Sequence, residues 1–520
     1  MPARITAAAP RHLYRAAQLR ELDRRAIEQA NIPGIQLMQR AGRALFAALL
    51  ERWPQTRRLL IFCGGGNNGG DGYIVAALAL ARRLQVELIE TPGTRRGDAL
   101  QARTVALEQG AHPIAAADWL AQNPEPEAPP KTAATPPTVA IDALLGTGFS
   151  GEVRPQMAAL IERINALDCP RVAADIPSGL DCDTGHAAGP AIQADLTVSF
   201  IAAKLGMVTG RAANHCGELQ LASLDVPAAI FQQMEPAAEL LDLPTEQCNL
   251  PPRPPCNHKG DHGRLLIIGG DHGYGGAPLL AALAAAHAGA GLIAVLTRST
   301  HIPAALAHCP QLMVAAAEQE SPGKDWLNNA SALVLGPGLG TAAWGQKLLL
   351  QTLAAQANSN TSLVIDADAL NLLATPAFAA HLPLKNAVFT PHPGEAARLL
   401  DSSVAAVNRD RPAAITALRT KLGGTVLLKG SGTLIDTADG LYVCPYGNPA
   451  LGTGGTGDLL AGLIGALLAQ GLPAAQAARL AVCVHAAAAD RLAESQGPRG
   501  ILATDLLPPI RTFLNPPPPA

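Results

Sequence analysis

The chain has 520 residues, 48% of them hydrophobic and 16% charged, with a formal net charge of −3. That length exceeds what one hydrophobic core accommodates, so two domains are expected, and the apolar content excludes wholesale disorder. The near-neutral charge gives no electrostatic reason to expect a nucleic acid or an anionic membrane as partner, which leaves a small molecule. Aromatic residues make up 3% while glycines number 50, a mix suited to helices packed closely on parallel strands and hence to an α/β class. The nine cysteines are odd in number and form no CxxC pair, so neither a disulfide framework nor a zinc site is expected, and a reducing, cytoplasmic setting is. Residues 1–25 lack an apolar core of signal-peptide length, and no uncharged apolar run free of Gly and Pro is long enough for a membrane span.

Along the chain, short apolar runs alternate with longer Ala/Leu-rich stretches, the pattern of βα units on a mostly parallel sheet. Strands are expected in the first half at 59–62, 86–89, 138–142, 171–175 and 196–200. The first runs into GGGNNGGDGY (64–73) and then into a helical pattern over 74–84. A glycine turn entering a helix can bring bare N–H groups and the positive helix end to a phosphate; the plainer reading is a tight turn with Asp71 as cap. The Pro-rich stretch 124–137 reads as a surface loop within the βα series. Asp142 and Asp175 then close two strands on the same rim, each followed by a glycine-bearing loop. Asn68, Asp142 and Ser178 offer oxygen ligands that suit a hard cation, and Asp175 remains as a proton donor and acceptor; either aspartate alone could equally cap a loop. The Pro-rich, pattern-free residues 227–257 mark the boundary between domains, set as 1–230, a linker 231–257, and 258–515.

In the second half, strands are expected at 264–268, 292–296, 332–335, 363–365, 387–389 and 425–428. GGDHGYGGAP (269–278), GPGLG (336–340) and TPHPGE (390–395) follow three of them, and three such loops on one rim point to a long, phosphate-bearing ligand. His392 alone would read as a satisfied loop histidine; on that rim it becomes a substrate contact. GTGGTGDLLAG (452–462) leads into an apolar helix over 459–468, and its successive N–H groups could form an anion nest for a diphosphate. Asp458, in the first turn, would be repelled by that anion unless it exchanged a proton with a substrate hydroxyl, the alternative being a simple cap. KGSGT (429–433) is expected on a β-hairpin arm closed by residues 438–440. The tail from Asn515 is expected to fray.

The set NNGGDG, IDALLGTG and DIPSGLD over residues 15–230 resembles the YjeF N-terminal family of NAD(P)H-hydrate epimerases. That resemblance implies a Rossmann-like α/β/α sandwich in which Asn67, Asn68, Gly69, Gly70 and Asp71 bind the hydrated dinucleotide together with Gly146, Thr147, Gly148, Phe149, Ser150, Gly151 and Glu152. It further implies potassium on Asn68, Asp142 and Ser178, with Asp175 contacting the nicotinamide as acid and base. GGDHGYGGA, GPGLG, DADALN, TPHPGEAARLL, KGSGT and GGTGDLLAG, in that order over 258–512, resemble the YjeF C-terminal family of nucleotide-dependent NAD(P)H-hydrate dehydratases, ribokinase-like in fold. The resemblance implies substrate contacts from Ala277, Gly338, His392 and Asp458, and AMP contacts from Lys429, Gly430, Ser431, Gly432, Thr433 and Gly457. ADP is the phosphoryl donor that the resemblance implies, the sequence itself not separating it from ATP; Mg2+ is expected on the phosphates, NADHX and NADPHX are the implied substrates, and a homo-oligomer is the expected assembly. Pro449, Ala450 and Leu451 depart from that family's pattern, which puts the local backbone in doubt. Two rivals remain at this stage: a ribokinase-like small-molecule kinase with a ligand-binding first half, and a first half that is a non-catalytic interaction module.

Overall fold

A computed structural model describes residues 11–124, 137–319 and 323–516. The loop expected at 124–137 lies almost entirely outside the described residues, as do residues 517–520 of the tail. Two compact units divide after Glu239. Residues 231–257, expected as a linker, carry a strand at Ala238–Leu240 and a short helix at Leu243–Gln247, and Leu241 and Leu243 are buried. Two leucines among many prolines suffice to anchor a segment whose pattern is too short to register as periodic. Among the described residues no helix is long and apolar enough to cross a membrane.

The first unit is built on seven parallel strands in the order Pro113–Ala115, Gln85–Glu90, Arg58–Cys63, Thr138–Ala143, Arg171–Ala174, Leu196–Phe200 and Glu218–Ala222. Alternation along Arg58–Cys63 shows why helices cover both faces. Leu59, Ile61 and Cys63 enter one core while Leu60 and Phe62 enter another, where Phe62 meets Trp119 edge-on at 5.0 Å between centroids. The chain leaves the central strand first toward one edge and then returns to build toward the other. The switch point falls between Arg58–Cys63 and Thr138–Ala143, and ligands of open α/β sheets bind at such a point.

In the second unit the strands run Met313–Ala316, Leu292–Thr297, Arg264–Ile268, Ala332–Leu335, Ser362–Ile365, Ala387–Phe389 and Thr425–Leu428, all parallel. Leu434–Thr437 and Gly440–Val443 extend the sheet antiparallel. Here the switch point lies between Arg264–Ile268 and Ala332–Leu335. KGSGT is the turn joining Thr425–Leu428 to Leu434–Thr437, not part of a hairpin arm as expected, because Gly430 and Gly432 take left-handed backbone (φ +136° and +59°) that breaks the strand.

Helix Thr456–Ala469 crosses helix Gly276–His287 so closely that a Cβ on Gly462 would run into the Ala281 carbonyl. Gly462→Ala is therefore expected to cost about 1–3 kcal/mol, the usual range for overpacking. Denaturant unfolding of the full chain tests this, and an unchanged midpoint for the second unit would show that the helices have room.

Candidate active sites

In the first unit a cavity of about 940 Å3 opens at the switch point. The helix expected from residue 74 begins at Asn67, so NNGGD forms its first turns. Glycine disfavours helix in isolation, but Gly69, Gly70 and Gly72 are needed here because Cβ atoms would strike the Gly64 carbonyl, Met38 and Cys63. Asn67, Asn68 and Asp71 line the cavity, as do Gly146, Thr147, Gly148, Phe149, Ser150 and Glu152. Gly69 and Gly70 are buried behind it, and Gly151 turns the loop at φ +85°.

Asp142 is fully buried at a strand end. Its Oδ1 accepts from Ser178 Oγ at 2.5 Å and from Leu144 N at 3.2 Å, and its Oδ2 accepts from Ser178 N at 2.7 Å. Asn68 Nδ2 donates to Leu145 O at 3.0 Å, and Leu145 N donates to Ser178 Oγ at 2.8 Å, so the three expected cation ligands meet around one residue. Asn68 Oδ1 is buried with no hydrogen-bond donor among the described residues. Burial raises the Asp142 carboxyl to about 6 against the pull of its Ser178 hydrogen bonds.

Asp175, expected as the last residue of a strand, lies one past it at φ +65°. The left-handed turn costs a non-glycine residue about 1 kcal/mol. It aims the carboxylate at the cavity, where Asp175 Oδ1 accepts from Phe200 N at 2.9 Å and pairs with Lys204 Nζ. Sequence reasoning missed Lys204. Only 1% exposed, it also donates to Ser199 Oγ at 2.8 Å, Phe200 O at 3.0 Å and Ala202 O at 3.2 Å. Its signal was a lone lysine in the apolar run after Leu196–Phe200.

In the second unit the glycine loops interlock at the switch point: Gly270 N donates to Pro337 O at 3.0 Å and Asp271 N to Gly338 O at 2.6 Å. Gly338, at φ +60°, lies against Tyr274 and Ala277, which brings two expected substrate contacts together. Lys429 Nζ bonds Asp366 Oδ1 at 2.8 Å, and Thr390 Oγ1 donates to the same oxygen at 2.7 Å. Burial opposes the Lys429 charge, yet Asp366, Glu395 and Asp458 outweigh it and hold the ammonium above its usual range. A Cβ on Gly457 would lie 3.5 Å from Lys429 Nζ, so Gly457, Asp458 and Lys429 form one corner. Burial and then the Asp366 charge raise Asp458 to about 6.

His392 Nδ1 accepts from Gly394 N at 2.9 Å and Glu395 N at 3.4 Å, which leaves the proton on Nε2, 3.2 Å from Glu395 Oε1. The histidine thus caps its helix and remains half exposed. In the KGSGT turn, Thr433 Oγ1 donates to Gly430 O at 2.9 Å, while buried Arg411 donates to Leu428 O at 3.0 Å beneath Ser431 and its neighbours. Pro449–Gly452, where the sequence departs from its family's pattern, is a 3-10 turn capped by Asn448, and it leaves the Gly457–Asp458 helix start intact. Arg411, Asp366 and Glu395 were not singled out from sequence.

Residues 34–206 match the family model for the YjeF-related protein N-terminus, and residues 265–511 match that for NAD(P)H-hydrate dehydratase. The bifunctional NAD(P)H-hydrate repair enzyme Nnr of Coxiella burnetii is 44% identical over 511 residues, 97% of this chain and 99% of that one. Its namesake in Vibrio cholerae is 41% identical over 510 residues, again 97% and 99% of the two chains. A solved ribokinase-like superfamily protein from Enterococcus faecalis is 30% identical, with a TM-score of 0.50 over 54% of this chain and 97% of its own. The chain therefore belongs to the family of bifunctional NAD(P)H-hydrate repair enzymes.

Proposed function

We propose that the first unit interconverts the R and S epimers of hydrated NADH and NADPH, and that the second dehydrates the S form with ADP as phosphoryl donor, giving AMP and phosphate. The observation that carries this reading is the same in both units: an aspartate at a glycine-lined switch point, beside a lysine held by carboxylate. Asp175 faces a cavity large enough for a nicotinamide nucleotide, and Asp458 shares its corner with Lys429 and Gly457.

In the first unit, Asp175 acts as an acid–base group toward the oxygen at C6 of the hydrated ring. The helix start at Asn67 and the 146–152 loop hold the diphosphate and ribose. Potassium suits the oxygens of Asn68, Asp142 and Ser178, because Asn68 Oδ1 is a buried acceptor without a donor and Asp142 is a buried carboxylate with no cation beside it among the described residues. Bound there, the ion would neutralise Asp142 and fix the loop that follows it.

In the second unit, Asp458 takes the proton of the substrate hydroxyl as its oxygen attacks the terminal phosphoryl group. Phosphate then leaves with the C6–O bonding pair, a far better leaving group than hydroxide. Loss of the C5 proton restores the dihydronicotinamide ring. Lys429 and the KGSGT turn hold the AMP portion, and Ala277, Gly338 and His392 hold the hydrate. No cluster of three or more His, Cys, Asp or Glu among the described residues could hold a metal ion, so magnesium, which favours phosphate oxygens and water, would arrive with the nucleotide.

Asp175→Asn is expected to slow epimer interconversion by about 10²–10⁴-fold, the usual loss for an acid–base group. ADP-dependent dehydration of the S form should continue, and interconversion that survives the substitution contradicts the role of Asp175. Dehydration should fall as pH drops through about 6, where Asp458 gains its proton and can no longer accept one. Asp458→Asn should remove that activity across the range, and a net phosphorylated product accumulating in the wild type would point to a kinase instead. Exchanging potassium for a bulky quaternary ammonium ion should slow interconversion alone; equal rates in both salts would remove the ion from the account.

A further inference from the structure

The cavity of the first unit contains a carboxyl group that no motif led to. Asp23 lies on the helix Ala16–Glu28, ahead of the residues 34–206 that match a family model. That helix is fixed to the unit: Leu19, Leu22 and Ala26 enter its core, and Ala16 N donates to Asp183 Oδ1 at 2.7 Å. Asp23 stands beside this buried stripe and lines the same cavity as Asp71, Asp175 and Lys204. Among the described residues no hydrogen-bond donor or cation is bonded to its carboxyl.

Asp175 is in the opposite condition. Its Oδ1 already takes the Lys204 ammonium and the Phe200 N–H, so Oδ2 is its working oxygen. Epimerisation asks for more than one well-placed oxygen. The hydroxyl departs from one face of the ring and water arrives on the other, so a single tethered carboxylate could serve both faces only if the ring turned over between the two steps.

We propose that Asp23 is the second acid–base residue of this cavity, protonating the departing hydroxyl of one epimer while Asp175 receives the proton of the water that returns on the opposite face. The proposal rests on the epimerase reading above. The proton of Asp23 passes to the C6 hydroxyl oxygen, the C6–O bond breaks, and water leaves as the ring-nitrogen lone pair forms a C6=N bond. Water then bonds to C6 from the far side, the C=N pair returns to nitrogen, and the surplus proton goes to Asp175 Oδ2. Nothing is oxidised or reduced, and the two carboxyls exchange protonation states. The other epimer runs the same path backwards, or cavity water resets the pair.

Although Asp23 is exposed at the cavity, the protein around it and then the Asp175 charge raise it to about 6, against the pull of Lys204. It can therefore carry a proton for part of the time near neutral pH.

The test uses the full chain and a single purified epimer without ADP, following appearance of the other by chromatography. Asp23→Asn should lower kcat by at least about 100-fold with KM little changed, and Asp23→Glu should recover part of the rate. Dehydration of the S form with ADP, measured on the same preparations, reports that the second unit is folded, and an unfolding transition of the first unit at the wild-type midpoint reports the same of the unit that carries Asp23. Asp23→Asn at close to the wild-type kcat would overturn the proposal. If the Asn variant also lost dehydration, Asp23→Glu would decide: recovered interconversion supports the role, and lost interconversion with dehydration intact contradicts it. A wild type that did not interconvert the epimers at all would instead defeat the assignment of the cavity itself.

Discussion

In each unit the two loops that leave the central pair of strands meet backbone to backbone at a glycine. A Cβ on Gly64 would run into the Leu144 carbonyl, and one on Gly269 into that of Pro337. Everything else at these sites depends on that contact. It lets the chain depart in opposite directions from neighbouring parallel strands while the loops stay in register, the arrangement at which open α/β sheets bind ligands. Substituting either glycine would separate the loops that carry the expected ligand contacts, even though neither residue performs chemistry.

The same economy governs the charges. Each site holds a lysine whose ammonium is taken up by a nearby carboxylate, the buried Lys204 by Asp175 and the partly buried Lys429 by Asp366. Removing a charge from water is costly unless it is paired and hydrogen-bonded, and both lysines are. The pairs then play different parts. Lys204 fixes the orientation of the aspartate that faces the cavity, whereas Lys429 is itself fixed by Asp366 and points toward the corner where Gly457 and Asp458 begin their helix. Burial and then the charge of Asp366 raise Asp458, so the carboxylate that steadies Lys429 also shifts its neighbour toward neutrality.

Much of this was legible in the sequence. All eleven expected strands are present with ends within a residue or two, because buried parallel strands read as short apolar runs between glycine-bearing loops. The short strands His12–Tyr14, Pro113–Ala115 and Met313–Ala316 were missed, since three or four residues carry too little pattern. The early start of the helix at Asn67 was missed for a different reason. Local propensity counts glycine against a helix, and only the neighbouring Gly64 carbonyl, Met38 and Cys63 explain why glycine is required. Motifs located Asp142, Asp175, Ser178 and Asp458, each of which sits beside a glycine loop. Asp23 and Lys204 were invisible because they reach the cavity by long-range packing, one from an ordinary amphipathic helix and the other as a lone charge in an apolar run.

Two rims of similar build on one chain serve two consecutive repairs. The decisive measurement gives the intact protein a mixture of R and S hydrated NADH together with ADP and magnesium. Recovery of NADH absorbance should continue until both epimers are consumed, with AMP and phosphate formed in step. Recovery that stops once the S form is exhausted would contradict the role assigned to the first unit, and no recovery at all would contradict the role assigned to the second.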